Sequence, residues 1–219
     1  MLRQRVITAL ALAPLVLLVI LWAPHELTAM VFALLAFAAF WEWSAFPGFR
    51  RRSVRGLYVT ALCACILAVW WIGVDRPALD GVLYAAIAWW VVALVWIVAA
   101  PAFMNQATAA VAGALVLVPA WLALTRLHAH DPQLLLFLLA LVAAADVGAY
   151  FAGRRYGRKK LAPRVSPGKT WAGVFGGLGS AVLVSVFGVW WLQKTAALFV
   201  GLCVLVVAAS IVGDLTESL

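Results

Sequence analysis

Charged residues are scarce in this chain, and acidic residues are the scarcest. Asp, Glu, Lys and Arg make up 11% of the 219 residues, and only eight residues are acidic. Soluble globular domains carry about 25% charged residues, so the composition excludes a soluble domain. The chain has only three cysteines, and Cys63, Cys65 and Cys203 all lie in apolar stretches. Residues two apart on a helix face different ways, so Cys63 and Cys65 make a poor metal-binding pair, and we interpret all three as small apolar fillers.

Long apolar runs fill most of the chain. Eight of them are long enough to cross a bilayer as helices, at residues 6–22, 27–46, 56–74, 79–100, 107–125, 133–152, 171–192 and 195–213. We therefore predict an all-α polytopic integral membrane protein with about eight transmembrane helices. We predict one transmembrane domain, residues 1–219, in which residues 1–140 form the N-terminal helices and residues 141–219 carry the motifs and a loop. No cleavage site follows the first run, so we predict a retained helix.

The basic residues predict how the chain is oriented. Thirteen of them fall in connections on one side of the predicted membrane, and three fall on the other. The larger set is Arg3, Arg5, Arg50, Arg51, Arg52, Arg55, Arg154, Arg155, Arg158, Lys159, Lys160, Arg164 and Lys169; the smaller is Arg76, Arg126 and Lys194. Basic residues favour the cytoplasmic side, so the N-terminus and the loop at residues 153–170 are predicted to be cytoplasmic.

Residues 146–173 contain more polar residues than a connecting loop needs if its charges only orient the chain in the membrane. A role in orientation explains the basic residues, but it does not explain the glycines or the turn at residues 166–170. We expect Thr170 or Ser166 to cap the next helix, whose free N–H groups, together with Lys169, form a phosphate-binding site. A P-loop is excluded, because Pro163 stands where that motif needs a glycine, and we predict no strand before the turn.

Acidic residues inside predicted spans are candidates for function, since a carboxylate in a bilayer is costly unless it has a partner. Asp146 lies on the same helix face as Tyr150, and Asp214 shares a face with Glu217 and Ser218. Two carboxylates three residues apart can share Mg²⁺ with substrate phosphates. The alternatives are an internal ion pair for Asp146 and a helix end that reaches water for Asp214.

The motifs in residues 146–219 resemble those of bacterial phosphatidate cytidylyltransferase (CDP-diacylglycerol synthase). In chain order they are Asp146-Val147-Gly148-Ala149-Tyr150, Gly153-Arg154, Gly157-Arg158, Lys160-Leu161-Ala162-Pro163, Ser166-Pro167-Gly168-Lys169-Thr170-Trp171 and Gly213-Asp214-Leu215-Thr216-Glu217-Ser218. Members of that family join phosphatidate to CTP, release pyrophosphate and form CDP-diacylglycerol for phospholipid synthesis. The resemblance implies the same activity here, in the bacterial cytoplasmic (inner) membrane, with no nucleic-acid partner. A homodimer is compatible with the sequence.

The resemblance and the spacing together give a set of expected site residues. We expect Asp214, Lys169 and Asp146 to be catalytic, and Asp214 and Glu217 to bind Mg²⁺. Contacts with the substrates, CTP and phosphatidate, are expected from Ser166, Thr170, Arg154, Lys160, Tyr150 and Ser218. Membrane lipids are expected as further partners of the protein.

The family's signature continues beyond the Gly-Asp-Leu-Thr-Glu-Ser stretch, and this sequence ends at Leu219. We therefore expect a chain truncated before that C-terminal signature, with an incomplete active site. Three other interpretations stay open: a CTP-dependent kinase of a polyprenol-type lipid, a transporter or other non-enzymatic membrane protein, and an inactive fragment. The third, fourth and fifth spans are almost wholly apolar, which argues against a polar path across the membrane.

Overall fold

The computed structural model describes residues 14–46, 48–49, 51–99, 105–163 and 166–216. Residues 14–22 are helical and are named α1. The helices that follow are α2 (His25–Trp43), α3 (Arg52–Ile72), α4 (Asp80–Ala99), α5 (Gln106–His130), α6 (Pro132–Tyr156), α7 (Trp171–Trp191) and α8 (Ala196–Thr216), with a short 3₁₀ turn at Pro77–Leu79. The predicted residues Arg3, Arg5, Arg50, Arg164, Glu217 and Ser218 lie outside the described part of the chain.

Seven helices in the described part of the chain, α2 to α8, are long and apolar enough to cross a membrane. This confirms the prediction of an all-α polytopic membrane protein. The first predicted span, residues 6–22, begins outside the described residues. Helices α5 and α6 extend past the predicted spans to His130 and Tyr156, because hydropathy marks where the apolar residues stop, whereas a helix continues while its backbone bonds can form.

The chain folds as two compact units, and each is described by itself. The first unit comprises residues 1–92 and 102–135, and the second comprises residues 93–101 and 136–219. The assignment of the whole chain to one transmembrane domain stays a prediction.

The first unit has its core between α2, α3 and α5, where Phe40, Leu62 and Leu122 are buried. Gly113 of α5 allows close packing there, because a side chain at that position would collide with the Trp43 ring and the Tyr58 hydroxyl. Both side chains donate hydrogen bonds to α5 carbonyls: Trp43 Nε1 to Ala109 at 2.9 Å and the Tyr58 hydroxyl to Ala110 at 2.8 Å. These bonds satisfy the polar atoms of the two aromatic side chains inside an apolar helix bundle.

The second unit is built from α6, α7 and α8, with glycines at the contact between α6 and α7. A Cβ atom placed on Gly148 would lie 2.7 Å from the carbonyl oxygen of Gly176 and would also collide with Ser180. Small residues let two helix backbones approach in this way inside membranes. At the other end of the unit, the Phe137 and Phe199 rings pack 5.2 Å apart between centroids.

A small β-hairpin connects α6 to α7. Strand β1 (Lys160–Ala162) pairs antiparallel with β2 (Ser166–Thr170), with Lys160 opposite Thr170 and Ala162 opposite Ser166. The prediction that no strand precedes the turn is wrong. Strands of three and five residues are too short to produce a recognisable alternation in the sequence. The pairing fixes the backbone directly before α7, and Trp171 N donates to the Lys159 carbonyl at 3.1 Å.

Candidate active site

A cavity of about 370 Å³ lies within the second unit, bounded by α6, the hairpin, α7 and α8. Ala149, Val174 and Ile211 form part of an apolar wall, and Gly153, Gly168 and Gly173 leave room along the backbone. Its polar lining residues are Asp146, Tyr150, Arg154, Lys169, Thr170, Ser210 and Asp214. The cavity therefore brings together both candidate acids from the described helices and the lysine of the turn.

Helix α6 supplies a polar face to this cavity. Asp146, Tyr150 and Arg154 are spaced four residues apart, which places them on one side of the helix. Arg154 Nη1 donates to the Tyr150 hydroxyl at 3.1 Å. That bond orients the guanidinium along the helix surface, so that a cation and a phenol stand together at the cavity wall.

Thr170 is the last residue of β2 and directly precedes α7. Its Oγ1 accepts a hydrogen bond from Gly173 N at 3.2 Å, so Thr170 is the N-cap, one of the two residues that the sequence analysis proposed for that role. The side chain is buried, with Gly153 of α6 and Gly157, which directly follows that helix, close beside it: a Cβ on Gly153 would lie 3.1 Å from Oγ1. The start of α7, where the helix dipole is positive, therefore borders the cavity.

Lys169 and Asp214 form an ion pair across the cavity. Lys169 Nζ lies 2.6 Å from Asp214 Oδ2. The lysine nitrogen is shielded from solvent, whereas 68% of the Asp214 side chain remains exposed. Asp214 therefore does not simply lie at a helix end that reaches water, because its ion pair with Lys169 links α8 to the hairpin.

Two predicted binding residues do not line the cavity. Lys160 and Ser166 belong to the hairpin, where they pair with Thr170 and Ala162. The predicted metal ligand Glu217 and the predicted contact Ser218 fall outside the described residues. Sequence reasoning missed Ser210, which lines the cavity one helical turn before Asp214. A signal was present, because Ser210 is the only hydroxyl residue of α8 before Asp214.

The donor set of the cavity fits a hard cation that is shared with a substrate. Asp146 and Asp214 bring carboxylates from α6 and α8 to one cavity. Among the described residues, no group of three or more His, Cys, Asp or Glu side chains is placed to hold a metal ion. Mg²⁺ is usually held by one or two carboxylates together with water and substrate phosphates, so two carboxylates are enough for that ion.

Comparison with known proteins gives consistent matches. The sequence model of the cytidylyltransferase family matches residues 3–219. A phosphatidate cytidylyltransferase of Pseudomonas aeruginosa is 35% identical over 229 residues, which cover 100% of this chain and 83% of that protein. The one from Haemophilus influenzae is 33% identical over 248 residues, which cover 100% of this chain and 85% of that protein. The one from Brucella suis is 39% identical over 108 residues, 44% of this chain and 37% of that protein.

Proposed function

The chain belongs to the cytidylyltransferase family, and we propose that the cavity of its second unit is the site at which it joins CTP to phosphatidate. The chain is a nucleotidyltransferase that transfers a cytidylyl group from CTP to phosphatidate and gives CDP-diacylglycerol and pyrophosphate. One observation supports the assignment of the site most: Asp146, Lys169 and Asp214, from three different elements of an apolar helical protein, line the same cavity.

The reaction needs charge neutralisation more than covalent chemistry. An oxygen of the phosphatidate phosphate attacks the α-phosphorus of CTP, a new P–O bond forms, and the bond to the β-phosphate bridging oxygen breaks as pyrophosphate leaves. Lys169 would neutralise phosphate charge in the transition state, and Arg154 would orient a phosphate from α6. The N-terminus of α7 adds partial positive charge beside Thr170.

Magnesium is the cofactor that we propose for this site. Asp214 and Asp146 would hold it, together with substrate phosphates, and it would supply further neutralisation of phosphate charge. Glu217 stays a predicted ligand. The roles of Ser166, Lys160 and Ser218 as substrate contacts also stay predictions.

The protein is integral to a membrane, since seven of its described helices are apolar and long enough to span one. We propose the bacterial cytoplasmic membrane, with the N-terminus and the hairpin on the cytoplasmic side, from the distribution of basic residues. Labelling of a single cysteine introduced at Lys159, in a chain whose own cysteines are replaced by alanine, tests this placement. Labelling by an impermeant reagent in intact cells would contradict it. The homodimer stays a prediction.

The direct test is a product assay. The purified chain is mixed with phosphatidate, CTP and Mg²⁺ in detergent micelles, and CDP-diacylglycerol and pyrophosphate are measured. We expect both products from the wild type and neither from Asp214→Asn. A companion chain extended by the family's C-terminal signature is assayed in parallel. Absence of product from both chains would contradict the proposal. The same assay with a polyprenol in place of phosphatidate distinguishes the cytidylyltransferase from the CTP-dependent lipid kinase. The kinase would phosphorylate the polyprenol and release CDP, with no pyrophosphate.

A further inference from the structure

A second cavity, of about 350 Å³, lies in the first unit, where α3 ends and α2 begins. His25 of α2, Trp70 of α3 and the four residues from Gly73 to Arg76 line it. Both helices are apolar and long enough to span a membrane, and the cavity lies at their ends. Its level is therefore that of the lipid headgroups, where tryptophan side chains such as Trp70 are commonly found.

Arg126 of α5 holds the backbone that forms one wall of this cavity. Gly73 has a positive φ of 96°, and Arg76 N donates to the Gly73 carbonyl at 3.0 Å, which closes a turn. Arg126 donates to the Val74 carbonyl and, at 2.8 Å, to the Arg76 carbonyl. An ion pair with Asp80 at 2.6 Å fixes the Arg126 guanidinium in turn. The wall is thus preformed, which lowers the entropic cost of binding a ligand there.

Two exposed side chains of opposite charge, Asp75 and Arg76, lie in this wall. Among the residues that the structure describes, no carboxylate forms an ion pair with the Arg76 guanidinium. The Asp75 carboxylate lies 3.7 Å from His130 Nδ1, which is beyond hydrogen-bond distance. That nitrogen donates to the Arg126 carbonyl at 2.9 Å instead, because a carbonyl can only accept. The cavity therefore offers one cationic and one anionic group to a ligand.

A zwitterionic phospholipid headgroup carries the two complementary charges. We propose that this cavity binds a phospholipid of the phosphatidylethanolamine type, with its phosphate on Arg76 and its ammonium on Asp75, beside the Trp70 ring. An anionic headgroup without an amine would bring its phosphate close to Asp75 with no positive group to offset the repulsion. Leu67 lies one turn before Trp70 on the same face of α3 and is 67% exposed, so it offers an apolar surface to an acyl chain.

The test compares two lipids that share the phosphate and differ in the amine, phosphatidylethanolamine and phosphatidylglycerol. Each is added to the purified chain in micelles, and native mass spectrometry measures the affinity of the bound lipid. We expect the wild type to bind phosphatidylethanolamine up to about fivefold more tightly, the upper range for one solvent-exposed ion pair. Asp75→Asn should lose this preference. Arg76→Gln should weaken the binding of both lipids and keep the preference, because both lipids carry the phosphate.

Glu26→Gln is the matched control. Glu26 is an exposed acid in the first turn of α2, next to His25, and it does not line the cavity. The substitution removes the same charge as Asp75→Asn from the same end of the helices, and it should leave the lipid preference unchanged.

Three outcomes would overturn the proposal. The first is equal binding of the two lipids by the wild type. The second is equal loss of the preference in Glu26→Gln and Asp75→Asn, which would assign it to the general negative charge at that end of the helices. The third is displacement of the lipid by an equal concentration of soluble glycerophosphoethanolamine, which would show that the cavity takes a free headgroup. Neither CTP nor turnover enters the measurement, so its result does not depend on the proposed function.

Discussion

Lys169 Nζ lies 2.6 Å from Asp214 Oδ2, so the lysine of the hairpin and the carboxylate of α8 neutralise each other across the cavity. Both are expected to meet substrate or metal during the reaction. A phosphate that draws Lys169 away therefore makes Asp214 more available to a cation, and a cation on Asp214 makes Lys169 more available to phosphate. Such coupling is reciprocal by thermodynamic necessity.

Replacing Lys169 with methionine should abolish most of the activity. We expect kcat to fall by about 100-fold or more, the loss seen when one group that stabilises transition-state charge is removed. Lys159→Met is the matched control, since Lys159 precedes the hairpin with an exposed side chain that does not line the cavity. The measurement is formation of CDP-diacylglycerol at saturating CTP. Equal losses in the two variants would show that Lys169 acts only as part of the general positive charge.

The same Lys169→Met variant should bind a divalent cation more tightly when no substrate is present. The ammonium competes with a metal for Asp214, and an ion pair with an exposed partner is worth up to about 1 kcal/mol, or about fivefold in affinity. Mn²⁺ binding, followed by electron paramagnetic resonance of the free ion, measures this change. Asp214→Asn should weaken Mn²⁺ binding instead. A weaker Mn²⁺ affinity in Lys169→Met would contradict the competition.

The sequence predicted much of this arrangement and missed specific parts of it. Apolar runs were sufficient for the helices, because a bilayer requires each span to satisfy its own backbone hydrogen bonds. Asp146, Lys169 and Asp214 stood out because polar residues are costly beside such runs. The β1–β2 hairpin was missed because its pairing joins short segments with no periodic pattern. The Lys169–Asp214 pair depends on how a turn and a distant helix pack, which spacing along one chain does not reveal.

Thr170 should contribute to stability through its cap. Thr170→Val keeps the shape of the side chain and removes the oxygen that accepts from Gly173 N, so the free energy of unfolding should fall by about 1 kcal/mol. Thr170→Ser retains the oxygen and should unfold near the wild-type temperature. The midpoint of thermal unfolding in detergent checks both variants. If valine and serine gave equal midpoints, the hydrogen bond to Gly173 would carry no stability.

Gly148 should be intolerant of a single methyl group. A Cβ there would lie 2.7 Å from the Gly176 carbonyl and would collide with Ser180, so Gly148→Ala must separate α6 from α7 or shift one along the other. Overpacking of this kind costs about 1–3 kcal/mol. Gly179→Ala is the matched control, because no atom lies within 4 Å of a Cβ at that position of α7.

The two glycine variants should therefore separate in both stability and activity. Gly148→Ala lowers the unfolding midpoint. It also lowers product formation, because Asp146 and Arg154 line the cavity from α6 and are displaced with that helix. Gly179→Ala keeps the wild-type rate and unfolds at the same temperature or higher, since alanine favours a helix more than glycine does. Thermal unfolding and the product assay, run on the same preparations, check both effects. A Gly148→Ala chain that is destabilised but fully active would show that the close contact of α6 and α7 stabilises the second unit without positioning the catalytic groups.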